Sequence, residues 1–477
     1  MTSRTASRLR AALAAALGLA VLATAPAASA APGDRGQRAA EITGALTQLP
    51  GARGCVAAGS GRLAGRRCGS ARGLGGPAPF LGSNAVAISP DGRHVYVASS
   101  SSDAIAVFAR NARTGVLRQP SGTAGCVAAG GTEGCARAVG LDGPNSVTVS
   151  PDGSTVYATA VDSNSVTAFA RDAGTGGLTQ LADGCLAAGA VDGCRPGRAL
   201  TGADAIAVSP DGRTVYVAAF HGNAIAVLAR DPATGALTQA AGAAGCVAAD
   251  AADGCGPALA LTAPEGLAVS PDGTTVHVAS ALANAVLTFS RDAATGALTQ
   301  LADGAGCLAA GLVAGCGPAR ALLGPNSVAV TPDGSAAYVA SVLSASLTGF
   351  ARSSATGALT QYDGLAGCVT SRPTTRCGVG RGLRGPEGVA VSPDGRNVYV
   401  ASFLSGGIGV FVRDPATGTV RQAGRRAGCI TMAPRDGCRR GRALAGVTSV
   451  VVSPDGRHVY AGAFGSNAVT TFRRATR

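Results

Sequence analysis

The chain has 477 residues, with 40 basic against 27 acidic side chains and a formal charge of +13. Every basic residue is an arginine. They are dispersed and have no interleaved aromatics, a pattern that argues against a nucleic-acid groove and for a solvated basic surface. Past the first thirty residues no apolar run is long enough for a membrane-spanning helix.

Residues 1–30 read as a secretory signal. Arg4, Arg8 and Arg10 open it, an apolar run from Ala11 to Ala23 follows, and Ala28-Ser29-Ala30 offers a cleavage site. Removing those three arginines leaves a charge of +10 on residues 31–477. The expected location is extracellular, and the expected state is monomeric.

The rest of the chain repeats. A Pro-Asp-Gly marker recurs with its aspartate at Asp91, Asp152, Asp211, Asp272, Asp333, Asp394 and Asp455, at intervals of 59–61 residues. Each unit reads as four strands. In "GPEGVAVSPDG" a strand runs into a turn in which Pro presets φ and Gly is free to turn left-handed. "RNVYVAS" is the second strand, segments such as "NAIAVLAR" the third, and "ALTQ" the fourth, after "DPATG". Seventeen residues past the marker stands Phe or Leu. Five past it stands Tyr, or His277 in one unit. Both columns read as packing, and His94 and His458 read as solvent-facing.

Four-stranded units with two apolar faces bury both by packing radially, so the predicted fold is all-β, a seven-bladed β-propeller. The last unit stops at "AVTTFRR" without its fourth strand, and Ile42 to Gln48 near the start supply "ITGALTQ". The beginning of the chain therefore completes the last blade and leaves no open seam. A linear solenoid is the alternative, but it would need polar capping units.

Each unit carries one cysteine pair: Cys55/Cys68, Cys126/Cys135, Cys185/Cys194, Cys246/Cys255, Cys307/Cys316, Cys368/Cys377 and Cys429/Cys438. Spacing alone does not fix connectivity. A local disulfide in each unit suits an exported chain, whereas zinc would need four ligands close together. The pairs fall in loops of around twenty residues between the fourth strand and the next first strand. These loops share an end of the propeller with the joints between strands two and three, and varied loops on a rigid scaffold are where binding sits.

At that end, seven residues before each marker, stand Asn84, Asn145, Asp204, Glu265, Asn326, Glu387 and Thr448. They would form a polar, partly acidic ring at the channel mouth, able to orient a small polar ligand or to suit a hard cation such as Ca2+. Arg72, Arg198, Arg320, Arg381 and Arg442, each four residues past a second cysteine, are the candidate partners of its carboxylates. His221 lies on a loop of the same end and is the histidine to test for acid–base work.

At "SPDGRTVYVAAFHGNAIAVLARDPATGALTQ" the sequence resembles the lactonase-type seven-bladed propellers, which include 6-phosphogluconolactonase-like and muconate-cyclising enzymes, and also the Tyr-Val-Ala-Ser-type repeats of secreted propellers. The resemblance spans all seven units and implies the fold. Lactonase-type members often carry Gly-Pro-Arg-His where the first strand begins. Here those stretches read "GPNS", "GADA", "APEG" and "GPEG", so the resemblance transfers no catalytic residue. The reading is an exported propeller that binds a small molecule, glycan or protein on its cysteine-bearing face. The alternative is a lactonase-type hydrolase or isomerase acting at the channel mouth.

Overall fold

The computed structural model describes residues 43–59, 68–75, 85–433 and 437–476. The leader and Asn84 lie outside them. Blades are numbered 1 to 7 here by their marker aspartates, Asp91 to Asp455.

Blade 3 shows how a unit folds. Ala203–Val208, Thr214–Ala219 and Ala224–Arg230 form an antiparallel meander. The marker turns the first pair: Ser209 Oγ donates to Asp211 Oδ1, which also accepts from Arg213 N at 3.0 Å. Gly212 sits at a φ of 69°, a conformation that favours glycine. The innermost strands line the channel, and each meander runs outward from it.

The outer part of the blade departs from the sequence reading. The segment after "ALTQ" is not all loop. Leu237–Gln239 pairs with Leu228–Arg230, the chain makes a short 3-10 turn, and Cys246–Ala248 then pairs with Ala224–Ala226. Past the second cysteine, Gly256–Pro257 pairs in parallel with Val247–Ala248. The outer strand is thus one strand interrupted by a bulge, and in blade 2 it is continuous over Leu178–Ala187. "Cys-Val-Ala" is too short to show an alternating pattern in the sequence, yet Val247 is buried in the layer between blades 3 and 4.

All seven cysteine pairs are disulfides between sequence neighbours: Cys55–Cys68, Cys126–Cys135, Cys185–Cys194, Cys246–Cys255, Cys307–Cys316, Cys368–Cys377 and Cys429–Cys438. No cysteine is free among the described residues. Their placement corrects the expectation that both partners sit in loops. The first cysteine of each pair lies in the outer strand; in six blades it opens the segment past the bulge, and Cys185 falls inside the continuous strand of blade 2. The second cysteines, Cys68, Cys135, Cys194, Cys255, Cys316, Cys377 and Cys438, stand immediately before the short parallel strand. Each bridge therefore staples two outermost strands together. It does so at the end of the propeller that carries the joints between strands two and three. In blade 2, for example, Thr167 pairs with Cys185 near that joint, while Arg171 pairs with Leu178 at the opposite end.

The core is a set of layers between blades rather than one central nucleus. One layer packs Tyr216, Ile225 and Val227 of blade 3 on Val278, Leu287 and Phe289 of blade 4. Six phenylalanines of the Phe column and the six tyrosines of the Tyr column are fully buried, as is Leu228.

The seam closes as the split repeat predicts. Leu46–Gln48 pairs antiparallel with the last strand, Leu46 opposite Arg474 and Gln48 opposite Phe472. Cys55–Ala58 continues that outer strand, so the first disulfide, Cys55–Cys68, belongs to blade 7. Val56, Val95, Phe108, Tyr460 and Val469 then share one apolar layer between blades 7 and 1. Among the described residues no helix is long and apolar enough to cross a membrane.

Candidate functional site

The ring residues stand where each inner strand begins, and the backbone treats them alike. In blades 2 to 7 the register slips at this residue: at Asn145, Asp204, Glu265, Asn326, Glu387 and Thr448 a β-bulge interrupts the pairing of strands one and two. A bulge re-aims a side chain out of the pleat, and here it does so at the same level in six blades. The six described ring residues are buried, each being 0–3% exposed. Its members pair between neighbouring blades. Asn145 Nδ2 donates to Asp204 Oδ1. Asn326 Nδ2 donates to Glu265 Oε2 at 2.7 Å, and Val342 N donates to Asn326 Oδ1 at 3.3 Å, which fixes the amide's orientation. The Ser146, Ser449 and Thr448 hydroxyls are buried with no hydrogen-bond partner among the described residues.

The inner strands meet closely at this level. A Cβ on Gly266 would stand 2.4 Å from the Asn326 carbonyl oxygen, and one on Gly388 would stand 2.6 Å from that of Thr448. The slot after the ring residue holds only Ser, Ala or Gly. A histidine in the manner of Gly-Pro-Arg-His does not fit this packing at residue 266.

The cysteines do not join the ring. They stand on the outer strands of each blade, whereas the ring begins the inner ones. Being oxidised, Cys68, Cys135, Cys194, Cys316, Cys377 and their partners offer neither a thiolate ligand nor a nucleophile. Their part is structural, and Cys194 and Cys316 are half-buried while Cys68, Cys135 and Cys377 are buried.

The arginines expected to answer the carboxylates lie elsewhere. Arg198 donates to the carbonyl oxygens of Asp253 and Ala240, at 2.6 and 2.5 Å, in the outer strand region of blade 3. Arg320 donates to Tyr362 O and Gly364 O of blade 5. Arg381 donates from both its backbone N and its Nε to Gln422 Oε1 of blade 6. Arg72 and Arg442 act as Arg198 does. These five side chains tie blades 7, 2, 4, 5 and 6 to the outer strand of the next blade.

A glutamine column that the sequence reading passed over completes the tie. Gln239 Oε1 accepts from Arg198 N at 2.8 Å, while its Nε2 donates to Arg198 O at 3.0 Å and Gly245 O at 2.9 Å. Gln48, Gln119, Gln180, Gln300, Gln361 and Gln422 repeat the reciprocal bond pair to the preceding blade. Its signal was in the sequence, as the last residue of every "TQ" or "RQ".

The opposite end is a structural clamp. Arg230, at the end of strand three in blade 3, donates to Asp152 Oδ2 (2.8 Å) and Tyr157 OH (2.7 Å) of blade 2 and to Gly212 O of its own turn. Seven such arginine–aspartate pairs run round the molecule, at 2.6–3.0 Å, including Arg110–Asp455 across the seam. Burial raises the aspartate pKa, but hydroxyl, amide and guanidinium partners outweigh it and hold Asp91, Asp333 and Asp455 at about 2.

His94 and His458 belong to this clamp and are not solvent-facing. Each is 2% exposed. Their Nδ1 atoms accept from Arg171 and Arg110 at 2.7 and 2.9 Å. Burial, then the neighbouring guanidinium, pushes His458 down to about 4. His277 is a packed ring between Thr275 and Thr288, which burial drives to about 3. His221 is the exposed histidine. It lies edge-on to Phe220 at 5.1 Å, and Gly202, two residues before Asp204, packs beneath it.

Among solved structures, a Pseudomonas aeruginosa periplasmic gluconolactonase is 20% identical, with a TM-score of 0.50 over 71% of this chain and 84% of that one. A candidate 6-phosphogluconolactonase from Bacteroides fragilis is 19% identical, with a TM-score of 0.51 over 70% of this chain and 81% of that one. Both share the fold. No curated protein sequence matches the chain. The profile described as "Lactonase, 7-bladed beta-propeller" matches residues 77–192, 190–314 and 317–477. With those matches laid over the blades described above, the chain belongs to the lactonase seven-bladed β-propeller family.

Proposed function

We propose that the protein hydrolyses a lactone at the cysteine-bearing end of its channel. The observation that carries this reading is the bulged ring: Asp204, Glu265 and Glu387 at one level, with Asn145 and Asn326 oriented against two of them and unpartnered hydroxyls beside them. Family membership and the gluconolactonase names of two structural relatives support it. Water adds to the carbonyl carbon, the ring C–O bond breaks, and an open hydroxy acid leaves. A ring carboxylate, Glu265 or Glu387, takes the proton from the water and returns it to the departing alkoxide oxygen. Among the described residues no three His, Cys, Asp or Glu side chains form a metal-binding group. Seven disulfides fit an extracellular or periplasmic protein, and the leader supports export.

The test is a pH-stat assay of the oxidised chain from residue 31 on a panel of sugar-derived and acylated lactones. Turnover above the spontaneous rate is expected. Glu265→Gln and Glu387→Gln should lower it about 100-fold at unchanged Tm. Folded protein that turns over no lactone overturns the reading. An exported binding propeller is the second reading, favoured by the 0–3% exposure of the ring. Its ligand would be a small molecule, glycan or protein held on the same end without turnover.

A further inference from the structure

Folding the repeat into sectors separates charges that look dispersed along the sequence. The relevant segments run from each outer-strand glutamine to the next inner strand. In blades 1 to 4 they carry four arginines and seven acidic residues. In blades 5 to 7 the described residues of these segments carry eleven arginines and one acidic residue. Arg372, Arg384 and Arg440 are exposed, and no side-chain partner is seen for them among the described residues.

Exposed apolar side chains are segregated as well. Leu282, Leu343 and Leu404 occupy one position in the joints between strands two and three of blades 4, 5 and 6, and are 66%, 47% and 48% exposed. Leu312 stands fully exposed within a disulfide loop of blade 4. Among the described residues every large exposed hydrophobic lies on a connection or outermost strand of the cysteine-bearing end or in the outer-strand bulge; none lies on the marker turns.

We infer that the cysteine-bearing end docks on an anionic lipid surface. Arginine forks bind lipid phosphates in pairs of hydrogen bonds, and a juxtaposed basic sector draws the protein to a negative leaflet. Leucines spread over several blades form a broad platform, not a groove, and suit the acyl boundary of a bilayer better than a hydrophilic polymer or a single peptide. The Cys307–Cys316 disulfide closes the loop that presents Leu312. The inference stands apart from lactone hydrolysis: Glu387→Gln should bind lipid as the parent chain does.

Flotation with vesicles tests it. Vesicles of 70:30 phosphatidylcholine and phosphatidylglycerol should retain the chain at least about tenfold better than phosphatidylcholine alone, and 0.5 M NaCl should release it. Leu282→Ser with Leu312→Ser should cut retention severalfold, as should Arg384→Glu with Arg440→Glu. Arg213→Glu, exposed at the opposite end, should change nothing. Equal retention on both vesicles, indifference to both double variants, or binding to soluble polyphosphate but not to vesicles overturns it. A melt of each variant at the parent temperature excludes misfolding.

Discussion

His94, His277 and His458 are neutral in the folded chain because burial, aided by adjacent guanidinium groups, removes the benefit of a charge. An unfolded histidine takes up a proton near pH 6.5; His458 does so only at about 4 when folded. Between those values the unfolded state binds more protons, so stability falls as pH drops from 6.5 toward 4. The marker aspartates extend the loss. Asp91, Asp333 and Asp455 ionise near 3.8 when unfolded and at about 2 when clamped, so their stabilisation disappears as pH falls from about 4 toward 2. Calorimetry from pH 8 to 2.5 should show Tm descending through both windows, and a flat Tm between pH 7 and 5 would contradict the histidine part. At the same scale, Gln239→Ala strips two hydrogen bonds between blades 2 and 3 and a third to Gly245 O within blade 3. It should cost about 1–3 kcal/mol, read from urea unfolding. Sequence reading located the ring by spacing alone, because a column is visible wherever a repeat is. It misjudged His94 and His458 because "GRHVY" follows a turn, and only the neighbouring blade's arginine buries them.

The outer strand is the element on which sequence and structure part. Four strands per blade were legible from alternation, and the continuation through Cys246–Ala248 was not, because three residues carry no period. The disulfide explains why the continuation holds. It joins Cys246 to Cys255, and so pins the parallel Gly256–Pro257 strand against Val247–Ala248. Cys135, Cys316 and Cys377 hold the corresponding parallel strands of blades 1, 4 and 5 in the same way. Replacing both Cys246 and Cys255 by serine should cost about 2–3 kcal/mol in the chain-entropy account. Protection of the Val247 and Ala248 amides from hydrogen exchange should drop first, while the inner strands of the blade stay protected.

At the scale of the molecule, closure was readable because the chain divides one repeat between its ends. The charge segregation was not, since it appears only when segments are assigned to sectors of a circle. Deleting residues 31–50 removes Leu46–Gln48 and exposes the last strand, Ala468–Arg474, along part of its outer edge. The truncated chain should melt at a lower temperature and over a broader range; a sharp transition at the parent Tm would refute the closure.

The pairing of Leu46 with Arg474 also sets an order of events in synthesis. Every disulfide spans nine or thirteen residues and can be oxidised as soon as its own stretch emerges. The strand Leu46–Gln48 must wait for Ala468–Arg474, which is made much later in the chain. Six blades can therefore form while the ring is still a crescent, and its two ends meet last.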